Sequence, residues 1–144
     1  MVMSNESRVH FAVPVERSYA SVVRQEVRQM LEVIGIDADA IEDLMVALGE
    51  AFSNAVIHGT GTRSDEVLVS GAASAHHTGA GYHVALELCY PGEPFDTTPP
   101  DEPTVDQLTG RGRYLMEMLM DAVAYTFPQG ETIVRLEMNV VGAG

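Results

Sequence analysis

Glu50 and Asn54 lie four residues apart in Ile41–Gly61, IEDLMVALGEAFSNAVIHGTG, whose apolar residues recur at helical spacing before a glycine-rich stop. Residues at that spacing stack on one helical face. A carboxylate and a carboxamide one turn apart, beside an apolar stripe, suit a metal-bound phosphate: the carboxylate takes a proton and the amide oxygen ligates Mg2+. A solvated polar face is the plainer reading of the same pair. A second constellation is Gly110-Arg111-Gly112-Arg113, where a long loop meets a helix. Glycine lets backbone amides approach an anion, and the first helical turn offers unpaired N–H groups and the positive end of the dipole. The pattern lacks the third glycine of a dinucleotide fingerprint and the lysine and hydroxyl residue of a P-loop. A third is Tyr90-Pro91-Gly92-Glu93-Pro94-Phe95-Asp96, directly after a strand, which also reads as a proline-stabilised turn.

The elements that must position these groups are legible from periodicity. Val9, Phe11 and Val13 alternate as a strand ended by Pro14. Val15 to Ile34 reads as a helix with Val22, Val23, Val27, Met30, Leu31 and Ile34 on one stripe, stopped by Gly35. Asp39 with Glu42, or alternatively Asp37, caps the next helix, which buries Ile41, Leu44, Met45, Leu48, Phe52 and Ala55 or Val56. Glu66–Ser70 and Tyr82–Cys89 read as strands joined by the flexible GAASAHHTGAG. Tyr90–Gly110 is rich in Pro, Thr and Asp and has no helical or strand period, as expected of a lid or binding loop. Arg111–Met120 returns to helical spacing, followed by strands around Val123, Tyr125 and Phe127 and around Val134, Leu136 and Met138. One mixed sheet covered on one face by helices is the expected product.

Composition narrows the function. A chain of 144 residues with 46% hydrophobic content is expected to fold as one domain. A net charge of -13 disfavours direct nucleic-acid binding and is compatible with a basic protein partner. No stretch approaches a membrane span and the N-terminus lacks a secretory pattern, so a cytoplasmic location is expected. The single Cys89 lies in an apolar stretch and reads as an inert core thiol. His76-His77 in a small-residue loop reads as surface, His58 as a helix-end residue, and Met116, Met118 and Met120 cannot all face the core.

In this order the pieces resemble the GHKL (Bergerat-fold) ATPases and, more closely, the small anti-sigma-factor serine kinases of bacteria. The resemblance covers nearly the whole chain. It implies an α/β two-layer sandwich, with a mixed sheet and helices on one face, as a single domain over 1–144 with an ATP-lid-like loop at about 92–110. Glu50-Ala51-Phe52-Ser53-Asn54-Ala55-Val56-Ile57-His58-Gly59 matches the N-box. That match assigns Glu50 to activation of the attacking hydroxyl and Asn54 to Mg2+. Gly110-Arg111-Gly112 resembles the second glycine box, which cradles the phosphates of ATP. Gly92 falls at the glycine of the D-x-G box, where the family expects an aspartate two residues earlier to accept from the adenine amino group; here that residue is Tyr90. A phenol is bulkier, neutral and more often a donor. A buried adenine donor left unpaired would lose roughly 1–3 kcal/mol, and Glu87, Glu93 and Asp96 are the nearby carboxylates that could substitute.

The function the resemblance implies is an ATP- and Mg2+-dependent protein-serine kinase that binds a sigma factor and phosphorylates a STAS-type anti-sigma-factor antagonist. It leaves a homodimer open, with contacts sought first on the arginine-bearing first helix. Tyr90 keeps a second reading alive, a non-catalytic binding module that works without nucleotide. A relic of a histidine-kinase ATPase domain is a third, unsupported by any dimerising phospho-acceptor helix pair ahead of the domain.

Overall fold

Alternation of buried and exposed residues makes Glu6–Pro14 the first strand, β1. The computed structural model describes residues 6–76, 81–99 and 111–141, without the side chain of Arg111. A 3-10 turn at Arg17–Tyr19 leads into α1 (Ala20–Val33), so the first helix begins later than its periodicity suggests. Val23, Val27, Met30 and Leu31 are buried, whereas Val22 is 42% exposed and leaves the expected stripe. Gly35 adopts φ +81, and the Ile36 amide donates to the Leu31 carbonyl, closing α1 with a left-handed cap. Helix α2 (Ala38–His58) starts at Asp37, whose carboxylate accepts from the amides of Asp39 and Ala40. Asp37, not Asp39, is therefore the cap.

Strand β2 runs Glu66–Ala75 and β3 runs Tyr82–Pro91. Residues Gly71–Ala75, expected in a flexible connection, are paired strand, with Gly71 opposite Val9 and Leu86. A Cβ at Gly71 would meet the side chains of Leu86, Met30 and Val9, so the small-residue run marks where α1 packs closest to the sheet. Helix α3 spans Arg111–Leu119, and β4 (Ala122–Thr126) and β5 (Glu131–Val140) follow. Within the α3 region Met116 and Met120 are buried and Met118 is exposed.

The strands form a single sheet in the order β1-β2-β3-β5-β4, and each neighbouring pair is antiparallel. This corrects the expected mixed sheet while leaving the two-layer α/β class intact. The crossover from β3 through α3 returns β4 in the direction of β3, but β5 inserts between them, so the two parallel-running strands never touch. Helices cover one face, where Val67, Val69, Val84, Leu86, Leu88, Val134 and Leu136 meet Leu31, Leu44, Leu48 and Phe52 in one core. The other face is polar: Arg135 pairs with Glu87 at 3.3 Å and Glu137 at 3.4 Å, and His83 contacts Glu137 and Asn139. Cys89 lies on that face instead of in the core. Its thiol donates to Glu131 at 2.7 Å, and desolvation, with Glu131 second, pushes it up to about 12. No described helix is long and apolar enough to cross a membrane.

Candidate functional site

Helix α2 carries the groups along one edge. Ala47, Leu48, Ala51, Phe52 and Ala55 are buried, which fixes the rotation of the helix and leaves Glu50 and Asn54 together on its half-buried flank. Glu50 meets α3: a Cβ at Gly112 would overlap Glu50 Oε2. One turn on, Asn54 lines a cleft of about 390 Å³ together with His58, Tyr90, Glu93, Pro94, Phe95, Gly112, Arg113, Tyr125 and Thr132. Glu50 does not line that cleft. It faces a separate groove between α1 and α2, bordered by Arg24, Arg28, Glu42, Met45, Val46 and Gly49.

The far end of the cleft is set by two glycines. Gly59 caps α2, and a Cβ there would come within 3.0 Å of the Pro91 carbonyl and 3.1 Å of the Tyr90 ring. Thr60 N–H donates to the same Pro91 carbonyl at 2.9 Å, tying the end of α2 to the end of β3. A Cβ at Gly92 would strike the Thr132 hydroxyl, and the Tyr90 ring lies beside the same point. Both positions therefore require glycine for close approach. Tyr90 stands opposite Thr132 across the β3–β5 ladder; the two are 5% and 1% exposed. Burial pushes the Tyr90 phenol up to about 12, so it is a neutral hydroxyl at any physiological pH.

The cleft wall is aromatic. Phe95 packs edge-on against Tyr125 at 5.0 Å and Phe127 at 5.1 Å. The Arg113 guanidinium lies 5.5 Å from the Phe95 ring centre and 5.6 Å from that of Tyr125, and Nη2 donates to the Thr98 carbonyl. Its Nε is buried and has no hydrogen-bond partner among the described residues. Burial raises the Tyr125 phenol, and Arg113 opposes that shift.

Of the residues expected from sequence, Asn54, Tyr90, Gly92 and Gly112 meet at the cleft or its floor, and Glu50 abuts Gly112 from behind. Arg111 opens α3, while Gly110 lies outside the described residues. The carboxylates weighed as substitutes separate: Glu87 pairs with Arg135 on the open face, Asp96 accepts from the Thr98 amide, and Glu93 is exposed at the cleft. Phe95 of the third constellation lines the cleft as well, whereas Thr132, His58 and Tyr125 carry no sequence signal for it. Thr132 is the buried polar residue of a strand read only for its apolar members, and its register against Tyr90 exists only once the sheet is paired.

The donor set fits a nucleotide with magnesium in one specific sense. Among the described residues no cluster of three or more His, Cys, Asp or Glu could hold a metal. Magnesium, however, commonly takes one or two protein oxygens plus phosphates and water. Asn54 would offer such an oxygen from the cleft it lines with Gly112, whose lack of a side chain leaves the first turn of α3 open.

Residues 13–138 match the family described as histidine kinase-like ATPase domain. Serine-protein kinase RsbW of Oceanobacillus iheyensis is 31% identical over 144 residues, covering 92% of this chain and 87% of its own length. The protein of the same name from Bacillus subtilis is 29% identical over 140 residues, covering 90% and 84%. Among solved structures, the RsbU and RsbW domains of a Mycobacterium tuberculosis protein align with a TM-score of 0.66 at 22% identity over 95% of this chain, which spans 33% of that longer one. The SiaB–SiaC complex from Pseudomonas aeruginosa aligns with a TM-score of 0.53 at 12% identity over 92% of this chain and 89% of that one. These two likenesses concern the fold.

Proposed function

Because the chain belongs to the histidine kinase-like ATPase domain family, we propose that it is a protein-serine kinase that uses ATP with Mg2+ and regulates transcription by partner switching. The carrying observation is the seam at Glu50: its carboxylate touches Gly112 of the cleft wall while facing the α1–α2 groove on its other side. In this reading the triphosphate lies along the cleft, and the acceptor serine enters from the groove. Bound magnesium would neutralise charge on the phosphates. Asn54 would hold the metal, and the backbone at Arg111 and Gly112 would receive phosphate oxygens. Glu50 orients the serine hydroxyl and takes its proton as the new Oγ–P bond forms and the bond from the γ-phosphorus to the bridging oxygen breaks. Phosphoryl transfer depends mainly on positioning and charge stabilisation, which this small set can supply.

The partners in this reading are a sigma factor and a STAS-type antagonist that carries the acceptor serine. They follow from the resemblance and from relatives named serine-protein kinase. The test is transfer of labelled γ-phosphate to a cognate antagonist by the purified protein. Transfer abolished by Glu50→Gln supports the assignment; no transfer, or transfer equal in wild type and variant, rejects it.

One observation favours a second reading. The Tyr90 ring is buried between Gly59 and Gly92, where the resemblance implies an adenine-reading aspartate. A binding module without nucleotide accounts for that substitution. Saturable ATP binding whose dependence on Mg2+ is lost in Asn54→Ala excludes it.

A further inference from the structure

The cleft has two chemically different ends, and α2 measures the distance between them. Glu50 marks the Gly112 end and Gly59 touches Tyr90 at the other, nine residues on or about 14 Å along a helix. A nucleoside triphosphate can bridge that length. The Gly112 end, with Asn54 and the first turn of α3, suits phosphates. The Tyr90 end, with Thr132, Phe95 and Tyr125, is flat-sided and carries hydroxyls, which suits a base.

What the base meets there is unusual in one respect. Tyr90 and Thr132 face each other across the β3–β5 ladder on the helix-covered side, and each hydroxyl both donates and accepts. Adenine presents an amino donor at position 6; guanine presents a carbonyl acceptor at the same place. A carboxylate there accepts only, so it favours the amino group and repels the carbonyl. A hydroxyl turns to suit either. The carboxylates that could restore one-way reading are elsewhere: Glu87 and Asp96 are engaged outside the cleft, and Glu93 is exposed to competing water.

We propose that the base pocket tolerates either substituent at purine position 6, so that guanosine and adenosine triphosphates bind with comparable affinity through the Tyr90 and Thr132 hydroxyls. Burial pushes the phenol up to about 12, so it remains a two-way partner throughout the physiological range. This inference rests on the nucleotide-cleft reading above.

Calorimetric titration of the intact protein with ATP and with GTP, each with Mg2+, tests it. Dissociation constants within about tenfold of each other are expected for wild type. Tyr90→Asp is expected to raise the ATP preference by about tenfold or more, chiefly by weakening GTP. Tyr90→Phe, which removes the hydroxyl and keeps the packing, is expected to weaken both nucleotides without moving their ratio. A wild-type preference above tenfold overturns the proposal. So does a ratio unchanged in a folded Tyr90→Asp variant, or one shifted in Tyr90→Phe, which decides the matter if the aspartate variant does not fold. Binding of neither nucleotide by wild type overturns the nucleotide reading itself, along with what rests on it.

Discussion

The backbone of Gly112 lies against the carboxylate of Glu50 so closely that a single added methyl group would overlap Oε2. Gly112→Ala must therefore displace either Glu50 or the start of α3. Small displacements of positioning groups lower rates by up to about a hundredfold. Phosphoryl transfer by Gly112→Ala is expected to fall on the order of tenfold to a hundredfold, measured in single turnover with saturating nucleotide. A variant as fast as wild type would show that the contact positions nothing.

In the proposed reaction Glu50 serves chemistry and Asn54 serves binding. Glu50→Gln keeps the size of the side chain and removes the base, so transfer is expected to drop by about 10²–10⁴, while the ATP dissociation constant changes by less than about threefold. Asn54→Ala is expected to abolish the Mg2+-dependence of ATP binding, so that affinities measured with Mg2+ and with a chelator converge. Calorimetry on both variants distinguishes the two roles, and an exchange of the two phenotypes would reverse the assignment.

Two raised pKa values set a direction for alkaline pH. In the folded chain Cys89 is pushed up to about 12 from 9.0 and Tyr90 to about 12 from 10.0. The folded state thus holds both protons more tightly than the unfolded one. The associated stability is intact below about pH 9 and declines as pH rises through 9–12. Melting temperature is expected to fall across that window and to fall less steeply in Tyr90→Phe. Alkylation of Cys89 at pH 8 is expected to be far slower in the folded protein than in denatured chain.

Asp37 holds the first turn of α2, on which both Glu50 and Asn54 depend for their rotation. Asp37→Ala is expected to destabilise the protein by about 0.5–2 kcal/mol, read from urea unfolding. Asp39→Ala, which removes no cap, is expected to change stability by less than half as much.

The sequence carried the α2 helix, its polar pair and the order of elements because these depend on local periodicity. The direction of pairing did not show: nothing in the residues of β4 or β5 says that β5 enters between β3 and β4. Gly71–Ala75 looked like a loop because small residues resemble turn chemistry, and only the approach of Met30 and Leu86 explains them. Cys89 looked like core for a similar reason, since its apolar neighbours alternate to the other face. At the site, Asn54 and Gly112 were legible as motif members. Thr132 was not, because its importance lies in being opposite Tyr90, a relation made by register.

Glu50 borders the groove lined by Arg24 and Val46 and, through its contact with Gly112, backs the wall of the cleft lined by Asn54. In the proposed reaction the phosphate donor and the protein it modifies then have separate doors, with one carboxylate as the party wall between them. Neither visitor has to leave for the other to enter. A compound that fills the nucleotide side would silence the chemistry and still leave the protein able to hold its partner.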